Sequence, residues 1–123
     1  MAIKINNANV IVDTGAFIFG SVGSNATSVT QGAPGTSNIF TFYNTSSRTL
    51  EATIQITQGA NYETVKFIVI SEGANAYIEE YARVGSPTNV TISVTVVANL
   101  VTVKVTSTTT LADIKGYGFL INA

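Results

Sequence analysis

The chain has 123 residues, a formal net charge of −1, 46% hydrophobic residues and only 11% charged ones. That length fits one domain around one core, and the charged share is less than half of the usual ~25%. With no Cys and no His, disulfides, thiolate metal sites, thiol nucleophiles and His-based triads are excluded.

The first 19 residues read as an arm. "MAIKINNANVIVD" has neither the basic segment nor the continuous apolar core of a signal peptide. Two short apolar bursts, Ile3 and Ile5, then Val10 and Val12, flank "NNAN" (6–9), which predicts two brief strands around a turn. Phe17 and Phe19 follow. Residues 20–37, rich in Gly, Ser, Thr and Asn, predict a flexible polar loop, and residues 38–123 a compact β domain.

From residue 38 onward the apolar period is close to two. "NIFTFY" (38–43) puts Phe40 and Phe42 on one face. "RTLEATIQIT" (48–57) sets Leu50, Ala52, Ile54 and Ile56 against Glu51, Thr53, Gln55 and Thr57. "TVKFIVIS" (64–71) is apolar on both faces from Phe67 to Ile70, as expected of a central strand, and turns at Gly73 into "AYIEEYAR" (76–83). "NVTISVTVV" (89–97) and "LVTVKVTS" (100–107) alternate Val or Ile with Thr or Ser and are joined at Ala98-Asn99, a tight hairpin. "DIKGYGFLINA" (113–123) opposes Gly116 and Gly118 to Tyr117 and Phe119, which points to close backbone approach or a bulge. No segment keeps a helical period. The expectation is an all-β fold, an antiparallel, jelly-roll-like β-sandwich with an extended N-terminal arm.

Adjacent acids Glu79 and Glu80 are the first candidates for chemistry. Carboxylates that run glycoside hydrolysis must face each other across a bond, and neighbours on a strand point to opposite faces. The expected role is therefore structural: Tyr77, Glu79 and Tyr81 share one face of the hairpin, Glu80 lies on the other with Ala76 and Ile78, and one of the two acids pairs with Arg83 or Arg48. Asp13, Asp113, Glu51, Glu63 and Glu72 lack metal-ligand spacing. "GSVGSN" and "GAPG" lack the Lys-Ser/Thr of a phosphate loop, and three Asn-x-Ser/Thr matches are what a Thr- and Asn-rich chain gives by chance. Six scattered basic residues make no phosphate-tracking stripe, so no nucleic acid is expected. No apolar run reaches membrane-spanning length, and no membrane partner is expected. No cofactor, metal or catalytic set emerges, and the expectation is a binding or assembly module, not an enzyme.

Residues 48–106 carry a resemblance. Glu51, Ala52, Ile54, Gln55 and Ile56, then Tyr62 and Glu63, then Glu72, Gly73, Ala76, Tyr77, Ile78, Glu80 and Tyr81, followed by the Val/Thr hairpin, resemble a β domain of tailed-bacteriophage virion proteins: head decoration or cement, neck and fibre proteins. "IKINNANVIVD" is similar to the short arm that opens many such proteins. The resemblance implies a virion protein made in the host cytoplasm. Its preferred form is a capsid decoration or cement protein bound to the major capsid protein or another virion protein. The alternative is a small tail or neck fibre, or a receptor-binding module that recognises a host surface glycan. Low charge and exposed β edges imply self-association, with a homotrimer expected. The expected interface residues are Ile3, Ile5, Val10, Val12, Phe17, Phe19, Tyr77, Glu79 and Tyr81.

Overall fold

The computed structural model describes residues 3–5, 8–11, 17–19, 22–31, 34–108 and 112–123, with side chains at 27–30, 34–108 and 112–123. Eleven strands are assigned among them: β1 (Ile3–Ile5), β2 (Ala8–Ile11), β3 (Phe17–Phe19), β4 (Val22–Gln31), β5 (Gly35–Tyr43), β6 (Ser47–Gln58), β7 (Asn61–Glu72), β8 (Asn75–Gly85), β9 (Val90–Val97), β10 (Leu100–Ser107) and β11 (Ala112–Asn122). They form two antiparallel sheets, one of eight strands in the order β1-β2-β3-β4-β11-β6-β7-β8 and one of three in the order β5-β10-β9. The fold is an antiparallel β-sandwich.

Alternation explains the sandwich. On β6, Leu50, Ala52, Ile54 and Ile56 are buried, and on β7 Val65, Phe67 and Val69 are; they meet Val101, Val103 and Val105 of β10 and Phe40 and Phe42 of β5 in one core. Burying a side chain as large as Phe67 contributes about 1.5–3 kcal/mol, and its ring lies 6.4 Å from that of Phe40. The hairpins are set by their turns. Gly59 and Gly73 open the β6–β7 and β7–β8 turns at φ 61° and 62°, while Ala98 and Asn99 both have positive φ, 50° and 66°, as a type I′ turn requires. The glycines of β11 face inward. A Cβ on Gly118 would stand 2.6 Å from Leu50 Cδ1, and one on Gly116 2.4 Å from the Thr53 carbonyl oxygen. They permit the close approach that their spacing predicted.

Residues 22–31, expected as polar loop, instead form β4. Nothing in "VGSNATSVTQ" alternates strongly, but β11 pairs with β6 along one edge, and its other edge leaves a row of backbone groups open. β4 satisfies them over ten pairs, from Ala112–Gln31 to Ile121–Val22. β5 likewise begins at Gly35, earlier than expected. In the arm, Ile3–Ile5 pairs with Ala8–Ile11 around residues 6–7, as expected, and Phe17–Phe19 pairs with Val22, Gly23 and Ser24 of β4.

Two β-bulges re-aim side chains. On β5, Val103 pairs with Phe40 and Lys104 with Asn38, so Ile39 is extra and both Ile39 and Phe40 are buried. On β8, Lys66 pairs with Ala82 and Phe67 with Glu80, so Tyr81 is extra.

Candidate functional site

The large sheet turns one face to the core and leaves the other open. Because β11, β6, β7 and β8 are in register, side chains on the open face fall into rows across the strands. One row runs Ile121–Thr49–Ile70–Tyr77, the next Phe119–Glu51–Ile68–Glu79, and a third Tyr117–Thr53–Lys66–Ala82 beside the bulged Tyr81. A fourth runs Lys115–Gln55–Thr64–Val84. Tyr77 is 56% exposed, Tyr117 50%, Tyr81 49% and Phe119 44%, and Ile68, Ile70 and Ile121 are 40–47% exposed. Exposed apolar residues are unremarkable singly; contiguous on one face they mark a contact surface.

The face is partly pre-ordered. The Tyr81 hydroxyl donates to Glu51 Oε1 at 3.0 Å across β7. Desolvation against the sheet, that hydrogen bond and the Glu51 charge together hold its phenol above the ordinary tyrosine value. Tyr117 and Phe119 lie edge to face, 6.0 Å between centroids. Around Tyr117 the face dips into a shallow depression of about 380 Å³ lined by Ser28, Thr53, Gln55, Thr64 and Lys115.

Of the residues expected at an interface, Tyr77, Glu79 and Tyr81 do share this exposed face. For Ile3, Ile5, Val10, Phe17 and Phe19 only the backbone is described, and Val12 lies outside the described residues. Glu80, on the inner side, meets Arg83 at 3.2 Å, one of the pairings that the sequence left open. Sequence reasoning missed Lys66, Lys115, Tyr117, Phe119, Ile68 and Ile70 as surface partners. The signal for Tyr117 and Phe119 was present, opposite Gly116 and Gly118. The structure also sets Glu51 and Glu79 on either side of Ile68, two strand spacings or about 9.5 Å apart. Their strands run parallel to each other, on either side of β7, and the face between them is open.

A second polar cluster closes the far edge of the core. Buried Glu63 accepts from Arg83 Nη1 at 2.8 Å and from the amide and hydroxyl of Thr88. Burial pushes its carboxyl up, but the Thr88 hydrogen bonds and the Arg83 charge outweigh this and hold it below the ordinary value. Gln58 donates to Ser107 and accepts from the Asn89 amide. Among the described residues no buried side-chain nitrogen or oxygen lacks a partner, and no group of three acids could hold a metal. This cluster ties the 85–90 turn to β6 and β7 through Thr88 and Asn89.

No family model matches the chain, and no curated protein matches it. Among solved structures it is similar to the tailspike protein of Acinetobacter baumannii phage AM24, with a TM-score of 0.45 and 10% identity over 81% of this chain. It is also similar to the tailspike protein of Acinetobacter phage vB_ApiP_P1, with a TM-score of 0.41 and 18% identity over 95% of this chain. The chain spans 27% and 23% of the length of those two proteins. Both TM-scores fall short of a shared fold.

Proposed function

We propose that this chain is a bacteriophage virion module that works at the tail, as a fibre or receptor-binding element holding a host surface glycan on the open face of its large sheet. The observation that carries this reading is the band of exposed Tyr77, Tyr81, Tyr117 and Phe119 interleaved with carboxylates and hydroxyls. Aromatic faces stack on the C–H faces of sugars, and flanking carboxylates, amides and hydroxyls bind their hydroxyls, so such a mixture suits a glycan better than a purely apolar partner. The resemblance of residues 48–106 to phage virion β domains supports the particle, and the virion is then its location.

A capsid decoration protein would use its N-terminal arm to add strands to a shell protein. The described arm strands instead pair in succession onto their own β4 edge, which weakens that reading without touching the virion assignment. A second reading is favoured by one corner of the same face: Ile70, Ile121 and Ile68 beside Tyr77 suit a protein contact, either another copy in a homotrimer or a neighbouring virion protein. In both readings the module binds and does not catalyse.

Immunogold electron microscopy of particles, combined with binding of the purified chain to host envelopes, tests the proposal. Label confined to the tail and envelope binding abolished by Tyr81→Ala with Tyr117→Ala are expected. Label spread over the head would return the chain to decoration.

A further inference from the structure

The open face is not electrically uniform. Glu51 and Glu79 lie in one row, and the next two rows carry Lys66 and Lys115. Along a strand, alternate residues are separated by about 6.8 Å, so acids and ammonium groups occupy adjacent bands. The depression belongs to the ammonium side. Lys115 and Tyr117 line it from β11, Thr53 and Gln55 form its floor on β6, and Thr64 and Ser28 close its sides. Lys66 is the register partner of Thr53, on the strand beyond the floor. Among the described residues neither ammonium has an ion-pair partner. The remaining nearby acid, Asp113, is two residues from Lys115 and accepts a hydrogen bond from Thr30.

We propose that this depression is the subsite for a carboxylate-bearing sugar unit, in its simplest form a hexuronic acid. The sugar ring lies against Tyr117, its hydroxyls meet Thr53, Gln55 and Thr64, and its carboxylate lies between the Lys115 and Lys66 ammonium groups. The volume, about 380 Å³, is at the small end of ligand sites, roughly 300–1,000 Å³. Charge complementarity selects the acid: Lys115 in the lining and Lys66 on the neighbouring strand, both without an ion-pair partner among the described residues, attract an anion, and the Glu51 row repels it from the neighbouring band. Adjacent neutral units of the same glycan can continue over Phe119 and Tyr81. The inference rests on the proposed glycan-binding role and sharpens it to one unit and one place.

The test is calorimetric titration of the full chain with tetragalacturonic acid and with its carboxyl-reduced counterpart, alongside binding to whole host envelopes. Wild type is expected to favour the acidic probe by about tenfold or more, in a salt-dependent manner. Lys115→Gln should erase that preference, read as the ratio of the two affinities. Equal binding of both probes by wild type overturns the subsite, as does a preference that survives Lys115→Gln combined with Lys66→Gln. Envelope binding without binding of either probe defeats the subsite and spares the broader role; loss of all three defeats both. Light scattering in which Tyr117→Ala turns an oligomer into a monomer would assign the depression to a second copy and also reject the subsite.

Discussion

Each sheet of the sandwich has an outer face built by the same alternation, and the two are coated in opposite ways. On the three-stranded sheet the rows run Thr36–Thr106–Thr91, Asn38–Lys104–Ser93 and Thr41–Thr102–Thr95, with Thr36 and Thr106 hydroxyls 2.9 Å apart. Apolar exposure there is confined to Tyr43 and Val97 at the hairpin end. On the eight-stranded sheet, equivalent positions hold Ile, Phe and Tyr with acids and lysines between them. A chain this poor in charge keeps this sheet face solvated with hydroxyls and amides around a single lysine, Lys104. The proposed binding role rests on the departure from that coat on the large sheet, and the threonine face serves as its internal control.

The largest contrast lies within β7, where Phe67 faces the core and Ile68 faces out. Phe67→Ala should destabilise the protein by about 3–5 kcal/mol through the cavity it leaves, whereas Ile68→Thr should change stability by no more than about 0.5 kcal/mol. Urea denaturation measures both. A large loss for Ile68→Thr would mean that the open face is covered, and that the comparison of two solvent-facing coats is mistaken.

Function should separate the coats next. Tyr117→Ala with Phe119→Ala is expected to weaken envelope binding about tenfold or more, because aromatic anchors carry a disproportionate share of contact energy. Thr91→Ala with Thr95→Ala on the control face should leave it unchanged. Equal losses from the two pairs would erase the distinction.

The buried polar cluster at the edge of the core should make stability depend on pH. Glu63 is hydrogen-bonded to Thr88 and paired with Arg83, and its folded-state pKa is lowered. The unfolded chain therefore binds a proton more readily, so this contribution to stability is complete above the ordinary Glu value of about 4.3 and is lost as pH falls through the lower folded value. Thermal melts should show wild type losing Tm below that pH, with a shallower loss in Glu63→Gln. A wild-type profile unchanged by Glu63→Gln would remove the cluster from the account of acid stability.

Much of this architecture was legible because burial on one face imposes period two on the chain. Leu50 to Ile56 and Val101 to Val105 declare their inward side without any partner in view. β4 did not, since its small polar residues become a strand only when β11 offers an open edge. The bulges at Ile39 and Tyr81 were equally hidden, because an extra residue exists only relative to a neighbouring strand. The same logic governs the site. Tyr77, Glu79 and Tyr81 could be grouped along one strand, but Lys66, Lys115 and Tyr117 lie on β7 and β11 with β6 between them. Strand order, which local pattern does not encode, is what brings them together.

The smallest expected effect belongs to the control sheet and tests whether its coat is indifferent to binding. Ala98 holds φ at 50° and Asn99 at 66° in the β9–β10 turn. For a residue with a Cβ, left-handed backbone costs roughly 1–2 kcal/mol, while Asn is relieved by local side-chain hydrogen bonding. The Asn99 backbone carbonyl accepts from the Asn44 backbone amide at 2.9 Å and ties this turn to the end of β5. Ala98→Gly would remove the strain but also loosen the unfolded chain, which offsets part of the gain. Ala98→Asn removes strain without that offset, and about 0.5 kcal/mol of added stability is expected, a rise in Tm of a few degrees for a domain of this size. Envelope binding should not move, because the turn lies on the sheet opposite the aromatic face. A stabilised Ala98→Asn protein that bound less well would show that this end of the small sheet takes part in recognition, and the threonine face could no longer stand as the inert coat.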